Sequence, residues 1–214
     1  TGWYRKSFVV SEEHAGKTFL LNFDGVYMDS YVYVNGIPVG EHHYGYTNFA
    51  FDISDYLVCD GATQNVVAVK VVNQLPSSRW YSGSGIYRDV TLLVLDPVHV
   101  DLNGTQITTP DIASGSGKVN VEVDVVNDGE SEVTATVKNT VYAKGSDSAL
   151  ASAESTVSVP ANSTVTAASA PVVSDPKLWS IESPNLYTVK TEIVVGGKVV
   201  DTYESDFGFP WFSW

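Results

Sequence analysis

The sequence predicts an all-β protein made of two antiparallel β-sandwich domains. Valine occurs 34 times among the 214 residues, whereas leucine occurs only 11 times. β-Branched side chains pack well on a pleated sheet and lose rotamer freedom in a helix. Short runs of alternating apolar and polar residues are interrupted by Gly, Asn, Asp and Pro, which is typical of strands joined by turns. No segment shows the period of an amphipathic helix.

The first half of the chain contains seven predicted strands. They span Trp3–Val10, Thr18–Phe23, Ser30–Val34, Ile37–Glu41, Phe49–Ile53, Val66–Val72 and Val90–Leu95. Asn35 and Gly36 separate the third strand from the fourth. Both residue types accept a positive φ, so this pair predicts a two-residue hairpin turn. Strands at this spacing are typical of two packed antiparallel sheets.

Asp96-Pro97 predicts a domain boundary, because the sequence beyond it has fewer aromatic residues and more Ser, Thr, Ala and Val. Seven further strands are predicted at His99–Thr108, Lys118–Val126, Glu132–Ala143, Ala151–Val159, Val165–Val173, Leu186–Val195 and Lys198–Phe207. Asp128-Gly129 and Gly196-Gly197 predict tight turns. Seven strands in about 110 residues is typical of an immunoglobulin-like sandwich.

Charge and composition exclude several classes of protein. The formal net charge is −13. Nucleic-acid binding depends on Lys and Arg that neutralise phosphates, so nucleic acid is not an expected partner. The sequence has no apolar run of about 18 residues, so no membrane span is predicted. The single cysteine, Cys59, allows neither an intrachain disulfide nor a cysteine metal cluster. No basic segment followed by an apolar stretch opens the sequence, so no signal peptide is expected there.

Three short patterns are weak candidates for catalysis or metal binding. His42 and His43, adjacent on a strand, would point to opposite faces, so ordinary roles are expected for both. Gly83-Ser84-Gly85 resembles half of a nucleophile elbow, but no helix follows it, which favours a structural turn. Asp24 and Asp29 flank a short loop that can ligate calcium through oxygens, or form a polar turn with Asx hydrogen bonds, and the turn is favoured. No metal or cofactor is therefore predicted.

The loop at residues 73–88 is the richest candidate for ligand binding. It joins two predicted strands and is longer than the connection alone requires. It contains Arg79, the adjacent aromatic residues Trp80 and Tyr81, and Tyr87. Sugars bind to the apolar faces of aromatic rings together with directed hydrogen bonds, so these residue types favour carbohydrate contact. In the alternative interpretation, the aromatic side chains hold the loop against the core.

Four stretches of the sequence, in order, carry family motifs. They read Gly-Trp-Tyr-Arg-Lys-Ser-Phe at 2–8, Asp-Gly-Val at 24–26 with Val-Tyr-Val-Asn-Gly at 32–36, Trp-Tyr-Ser-Gly-Ser-Gly-Ile-Tyr-Arg-Asp-Val at 80–90, and Leu-Trp-Ser at 178–180 with Pro-Asn-Leu-Tyr at 184–187. Together they resemble glycoside hydrolase family 2, the β-galactosidase group, over essentially the whole chain. The third stretch is very similar to the family motif W-x-x-x-S-G-I-Y-R-x-V.

The resemblance implies a sugar-binding jelly-roll domain, an immunoglobulin-like domain and then a TIM barrel. On this chain the jelly roll would span residues 1–96 and lack its N-terminal edge, and the immunoglobulin-like sandwich would span residues 97–209. Trp179 and Tyr187 would fill the sandwich core. Residues 210–214 would begin the connection to the barrel. A barrel needs about 250 residues, so the catalytic glutamates are expected on the missing barrel and no catalytic residue is expected here.

The resemblance also implies roles for residues in the loop. Arg79 is the candidate for contact with substrate, because a guanidinium donates several hydrogen bonds in a fixed geometry. Trp80, Tyr87 and Arg88 would support the loop. The sequence departs from the family pattern at two positions. Some branches carry an acidic residue where Arg79 stands, and Pro210 stands where the family has Arg.

The expected function is therefore that of a non-catalytic part of a retaining glycosidase. Its parent protein would hydrolyse terminal β-galactosides, and this part would support and edge the active site. The expected partners are a galactoside, within the full enzyme, and the missing barrel. The aromatic residues at 209–214 are expected to pack against that barrel. The alternative is a stand-alone carbohydrate-binding or adhesion module.

Overall fold

The computed structural model describes residues 1–74, 82–113 and 115–210, and almost all of their regular structure is β-strand. Within these ranges there are nineteen strands and two 3₁₀ turns, at Glu12–His14 and Ser54–Tyr56. Contacts divide the chain into two compact units, Thr1–Leu95 and Asp96–Trp214. In the described part of the chain, no helix has the length and apolar character needed to cross a membrane.

The first unit is a sandwich of two antiparallel sheets. Its strands are β1 Gly2–Val9, β2 Thr18–Phe23, β3 Val26–Tyr27, β4 Asp29–Val34, β5 Ile37–His42, β6 Phe49–Asp52, β7 Gln64–Val72, β8 Gly85–Ile86 and β9 Val90–Leu95. One sheet has the order β1-β7-β4-β5 and the other the order β6-β2-β9. β3 and β8 form a separate short ladder. The apolar side chains of the two larger sheets, among them Phe19, Phe23, Val32 and Val69, form one buried core.

One long side of this sandwich is open. β1 and β9 are edge strands of the two sheets, and an apolar cleft of about 530 Å³ is lined by residues from both, including Tyr4, Phe8 and Leu92. Val90 and Val94 of β9 are 40% and 39% exposed. Alternating strand positions that would be buried in a closed sandwich are therefore accessible to solvent.

The second unit is also a sandwich. Its strands are β10 Val98–Thr108, β11 Ile112–Ala113, β12 Ser116–Lys118, β13 Asn120–Asn127, β14 Val133–Ala143, β15 Ala149–Val159, β16 Ser163–Ser169, β17 Val172–Ser174, β18 Tyr187–Val195 and β19 Lys198–Phe207. The larger sheets have the orders β10-β13-β16 and β15-β14-β18-β19, and they enclose a valine-rich core. These seven long strands confirm the predicted immunoglobulin-like arrangement. Tyr187 is buried in the core, as expected, whereas Trp179 is only partly buried.

The structure corrects one predicted strand and the nature of one turn. The strand expected over Val165–Val173 is divided into β16 and β17, because Pro171 has no N–H to continue the ladder. β17 pairs instead with β12 in a small third sheet. Asp128-Gly129 does not close a hairpin, because β13 and β14 belong to different sheets. The Asn127 side chain shapes this crossing by accepting a hydrogen bond from the N–H of Gly129 at 2.9 Å.

Asparagine side chains fix the hairpin between β4 and β5. Asn35 and Gly36 have φ values of 51° and 84°, which confirms the predicted hairpin turn. Asn35 Nδ2 donates to Oδ1 of Asn65 at 2.9 Å. Asn65 is fully buried and exchanges two hydrogen bonds with the backbone of Val58, each 2.8 Å long. The Asn65 amide thus joins the hairpin to the segment that follows the second 3₁₀ turn.

We expect Asn65→Leu to lower the free energy of unfolding of the first unit by about 2–3 kcal/mol. Leucine has a similar volume but cannot replace the hydrogen bonds that the buried Asn65 amide makes with the Val58 backbone and with Asn35. Urea unfolding followed by circular dichroism measures the change. Asn48→Leu, at an exposed position, is the control and should change stability by no more than about 0.5 kcal/mol. Equal midpoints for the two variants would contradict a structural role for Asn65.

Candidate functional site

The end of the predicted ligand-binding loop is held by the short ladder of β3 and β8. Val26 pairs with Ile86 and Tyr27 pairs with Gly85. Beyond the ladder, the N–H of Asp24 donates to the carbonyl oxygen of Asp89 at 3.0 Å. The segment that follows residues 75–81 is therefore bound along its length to the segment that follows β2.

Tyr87 connects three segments of the first unit. Its backbone N–H donates to the carbonyl oxygen of Gly25 at 3.2 Å, and its hydroxyl donates to the carbonyl oxygen of Gly45 at 2.7 Å. The ring lies against Gly25, where an added Cβ would come within 2.6 Å of the ring carbon that bears the hydroxyl. Half of the Tyr87 side chain is exposed, so it lies at the surface.

The other loop residues predicted from the sequence are only partly described. The guanidinium carbon of Arg88 lies 5.9 Å from the centroid of the Tyr87 ring, within range of a cation–π interaction. Arg88 is exposed. Arg79 and Trp80 lie outside the described residues, so their predicted roles stay predictions. Ser84 is a hydrogen-bonding partner of Asn73, at 2.7 Å, and the strand β8 that follows belongs to no nucleophile elbow.

A cluster of three tyrosines, two of them exposed, adjoins Tyr87 and is not among the sites predicted from the sequence. The cluster consists of Tyr27, Tyr44 and Tyr46. Tyr46 contacts Tyr27 edge-to-face at a centroid distance of 5.5 Å, and it contacts Tyr44 in the same manner at 5.8 Å. Gly45 packs against the Tyr27 ring, with no room for a Cβ. In the sequence, the signal for this cluster is a pair of tyrosines that flank a glycine within a polar turn.

The two adjacent histidines hold the turn that carries Tyr44 and Tyr46. His42 stacks on Phe49 at a centroid distance of 4.2 Å, and its Nε2 lies 3.1 Å from the hydroxyl of Thr47. His43 Nδ1 lies 3.2 Å from Asp29 Oδ1, and its Nε2 lies 3.4 Å from Glu41 Oε1. The hydrogen bonds to Glu41 and Asp29, in that order of importance, raise the pKa of the His43 imidazole.

Between Asp24 and Asp29, where the sequence favoured a polar turn, the structure has the short strand β3, and β4 begins at Asp29. Asp24 Oδ1 accepts a hydrogen bond from Asn22 Nδ2 at 2.9 Å, and Asp29 binds His43. Among the residues that the structure describes, no three His, Cys, Asp or Glu side chains are grouped so that they could hold a metal ion. The arrangement offers aromatic surface and hydrogen-bonding groups, which is the chemistry of carbohydrate contact.

Family sequence models match both halves of the chain. The model described as Glycosyl hydrolases family 2, sugar binding domain, matches residues 1–96. The model described as Glycosyl hydrolases family 2 matches residues 98–209. The chain therefore belongs to glycosyl hydrolases family 2, and the resemblance that its motifs indicated is confirmed.

Curated relatives include enzymes named for two sugars. The β-galactosidase BoGH2A of Bacteroides ovatus is 38% identical over 214 residues, which cover 99% of this chain and 25% of that protein. A putative β-glucuronidase of Formosa agariphila is 40% identical over 218 residues, which cover 100% of this chain and 20% of that protein. The chain thus spans a quarter or less of the length of these relatives.

Solved structures share the fold. A family 2 member from Bacteroides cellulosilyticus has a TM-score of 0.91 and 34% identity, over 97% of this chain and 28% of that chain. A β-glucuronidase from Bacteroides uniformis has a TM-score of 0.87 and 28% identity, over 98% of this chain and 26% of that chain. The predicted all-β fold of two sandwiches is confirmed.

The contacts of His43 lead to a prediction about its titration. We expect its imidazole pKa, measured by NMR of the ring protons, to lie above the ordinary value of about 6.5. Glu41→Gln should lower this pKa more than Asp29→Asn, because Glu41 makes the larger contribution. The protonated imidazole favours the folded state below the ordinary pKa, and this contribution disappears as the pH rises through the raised pKa. Glu130→Gln, in the second unit, is the control, and a His43 pKa unchanged by Glu41→Gln would contradict the described contacts.

Proposed function

We propose that this chain is the non-catalytic, sugar-binding and immunoglobulin-like part of a retaining glycoside hydrolase that acts on terminal β-galactosides. The observation that carries the proposal is the match of both halves, in order, to family 2, together with the small share of each glycosidase relative that the chain covers. In this proposal the parent protein is the enzyme, and the chain alone has no hydrolytic activity.

Each region has a distinct role in the proposal. Residues 1–96 form the jelly-roll domain without its N-terminal edge, and the open cleft between β1 and β9 supports the absence of a strand there. Residues 97–209 form the immunoglobulin-like domain. Residues 210–214 begin the connection to the catalytic barrel. Pro210, the last described residue, pairs with Trp179 of the second unit, which supports the assignment of residues up to this point to that domain.

The proposed mechanism assigns the chemistry to the barrel. Retaining glycosidases use two carboxylic side chains about 5 Å apart, one as nucleophile and one as acid and base. In this proposal, the chain holds one loop in place at the edge of the substrate site. Arg79 would donate hydrogen bonds to the substrate, and Trp80, Tyr87 and Arg88 would support the loop. The two hydrogen bonds of Tyr87 and the contact of its ring with Gly25 support this division of roles.

A β-glucuronide is the second candidate substrate. A guanidinium binds a carboxylate through two parallel hydrogen bonds, so Arg79 would suit a uronic acid as well as a neutral sugar. The Formosa agariphila relative named as a putative β-glucuronidase also favours this candidate. Assays of the parent protein with matched nitrophenyl galactoside and glucuronide distinguish the two substrates directly.

Calorimetry on the 214-residue chain tests the assignment of chemistry to the barrel. We expect no heat of binding with galactose, lactose or glucuronic acid and no release of nitrophenol from either glycoside. Binding that is lost in Arg79→Ala would instead support a stand-alone carbohydrate-binding module. Turnover above background would contradict the proposal, because the catalytic carboxylates would then belong to this chain.

Tyr87→Phe in the parent protein tests the supporting role of this residue. The ring remains, but the hydrogen bond to Gly45 is lost, so we expect a stability loss of about 1 kcal/mol. We also expect a several-fold lower kcat/KM, because the loop that carries Arg79 is held less firmly. Tyr33→Phe on β4 is the matched control. A kcat/KM for Tyr87→Phe equal to that of the control would exclude a role in positioning the loop.

A further inference from the structure

We propose that Tyr44 and Tyr46 form a stacking surface for a further sugar unit of an extended β-linked oligosaccharide, beyond the sugar that is released. This proposal rests on the proposed function. The two residues belong to the turn between β5 and β6, in which the carbonyl of Gly45 accepts a hydrogen bond from Tyr87. Their role would be to distinguish long substrates from short ones.

Tyr44 and Tyr46 are exposed to solvent. Tyr44 is 57% exposed and Tyr46 is 65% exposed, whereas the aromatic residues Phe19 and Phe23 of the same unit are buried. Edge-to-face contact with a neighbour leaves ring surface of each tyrosine open to solvent. Large rings with only two side-chain torsions offer much contact area at a small cost in conformational entropy.

The turn that carries these tyrosines is held by several contacts. Gly45 accepts the hydrogen bond from Tyr87, His42 stacks on Phe49, and His43 lies within hydrogen-bonding distance of Asp29. These contacts hold the turn from both ends and from its middle. A surface that is already fixed loses little freedom when a ligand binds, so even a shallow platform contributes to affinity.

Polar side chains lie in the same part of the chain as the two rings. The side chains of His43 and Glu41 are 52% and 60% exposed beside the turn, and Thr47 carries a hydroxyl. Exposed rings in a turn that also presents such donors and acceptors fit a pyranose, whose C–H face is apolar and whose edge carries hydroxyls. The Tyr87 hydroxyl connects the tyrosine turn to the last residues of the loop at 73–88, so a substrate held by that loop could extend over Tyr44 and Tyr46.

The test compares two substrates in the parent protein, which contains the catalytic domain. We expect Tyr44→Ala and Tyr46→Ala each to reduce kcat/KM five- to thirtyfold for a β-linked trisaccharide, mainly through a higher KM. Both variants should stay within twofold of wild type with the nitrophenyl glycoside. Substrates of the galactose and glucuronic acid series are both used.

Two further variants separate stacking from other causes. Tyr46→Phe keeps the ring and should retain most of the trisaccharide activity. Trp3→Ala removes another exposed aromatic ring, which packs with Tyr33 on a different strand, and should affect neither substrate. Thermal unfolding of every variant shows whether the Ala substitutions disturb folding, and Tyr44→Ala, at the end of the cluster, provides a second reading if Tyr46→Ala is unstable.

Three outcomes would overturn the inference. Equal activity of wild type and both Ala variants on the trisaccharide would exclude a sugar contact. Equal losses on both substrates, with a lower unfolding temperature, would show that the tyrosines pack against another part of the polypeptide. Absence of turnover by the wild-type parent on every glycoside would contradict the proposed function itself, and this inference would fall with it.

Discussion

The hydrogen bond from the Tyr87 hydroxyl to the Gly45 carbonyl joins the segments on which the candidate site depends. The tyrosine ring reaches Gly45 by passing over Gly25, and its backbone N–H binds Gly25 as well. One side chain thus fixes the end of the Arg79 loop, the short strand β3 and the turn with the exposed tyrosines. Because these segments are distant in sequence, their relative positions depend on this tertiary contact rather than on local preferences.

Local pattern predicted most strands, because a period of two is imposed wherever one face of a strand is buried. β2 and β9 have the predicted bounds, and Asn35-Gly36 forms the predicted turn. The two-residue strands β3 and β8 were missed, since so short a ladder has no period and forms only through pairing across the fold. The division of a predicted strand at Pro171 shows the opposite case, in which one missing N–H outweighs a favourable run of β-branched residues.

The candidate site was predictable only in part. Composition and motif directed attention to residues 73–88, and Tyr87 within that loop has three contacts that bear on its position. Tyr27, Tyr44 and Tyr46 were missed, because each is ordinary within its own segment and they form a cluster only after folding. Likewise, the pairing of His43 with Asp29 joins two strands whose adjacency no local pattern specifies.

Gly25 and Gly45 have a consequence for studies of sequence variation in this protein. Neither carries a functional group, yet a methyl group at either position would collide with Tyr87 or Tyr27. A deep mutational scan scored on activity would therefore mark both glycines as intolerant, like residues that touch the substrate. Separating these two kinds of intolerance requires a parallel score for protein abundance. A displaced ring lowers abundance, whereas the loss of a ligand contact leaves abundance unchanged.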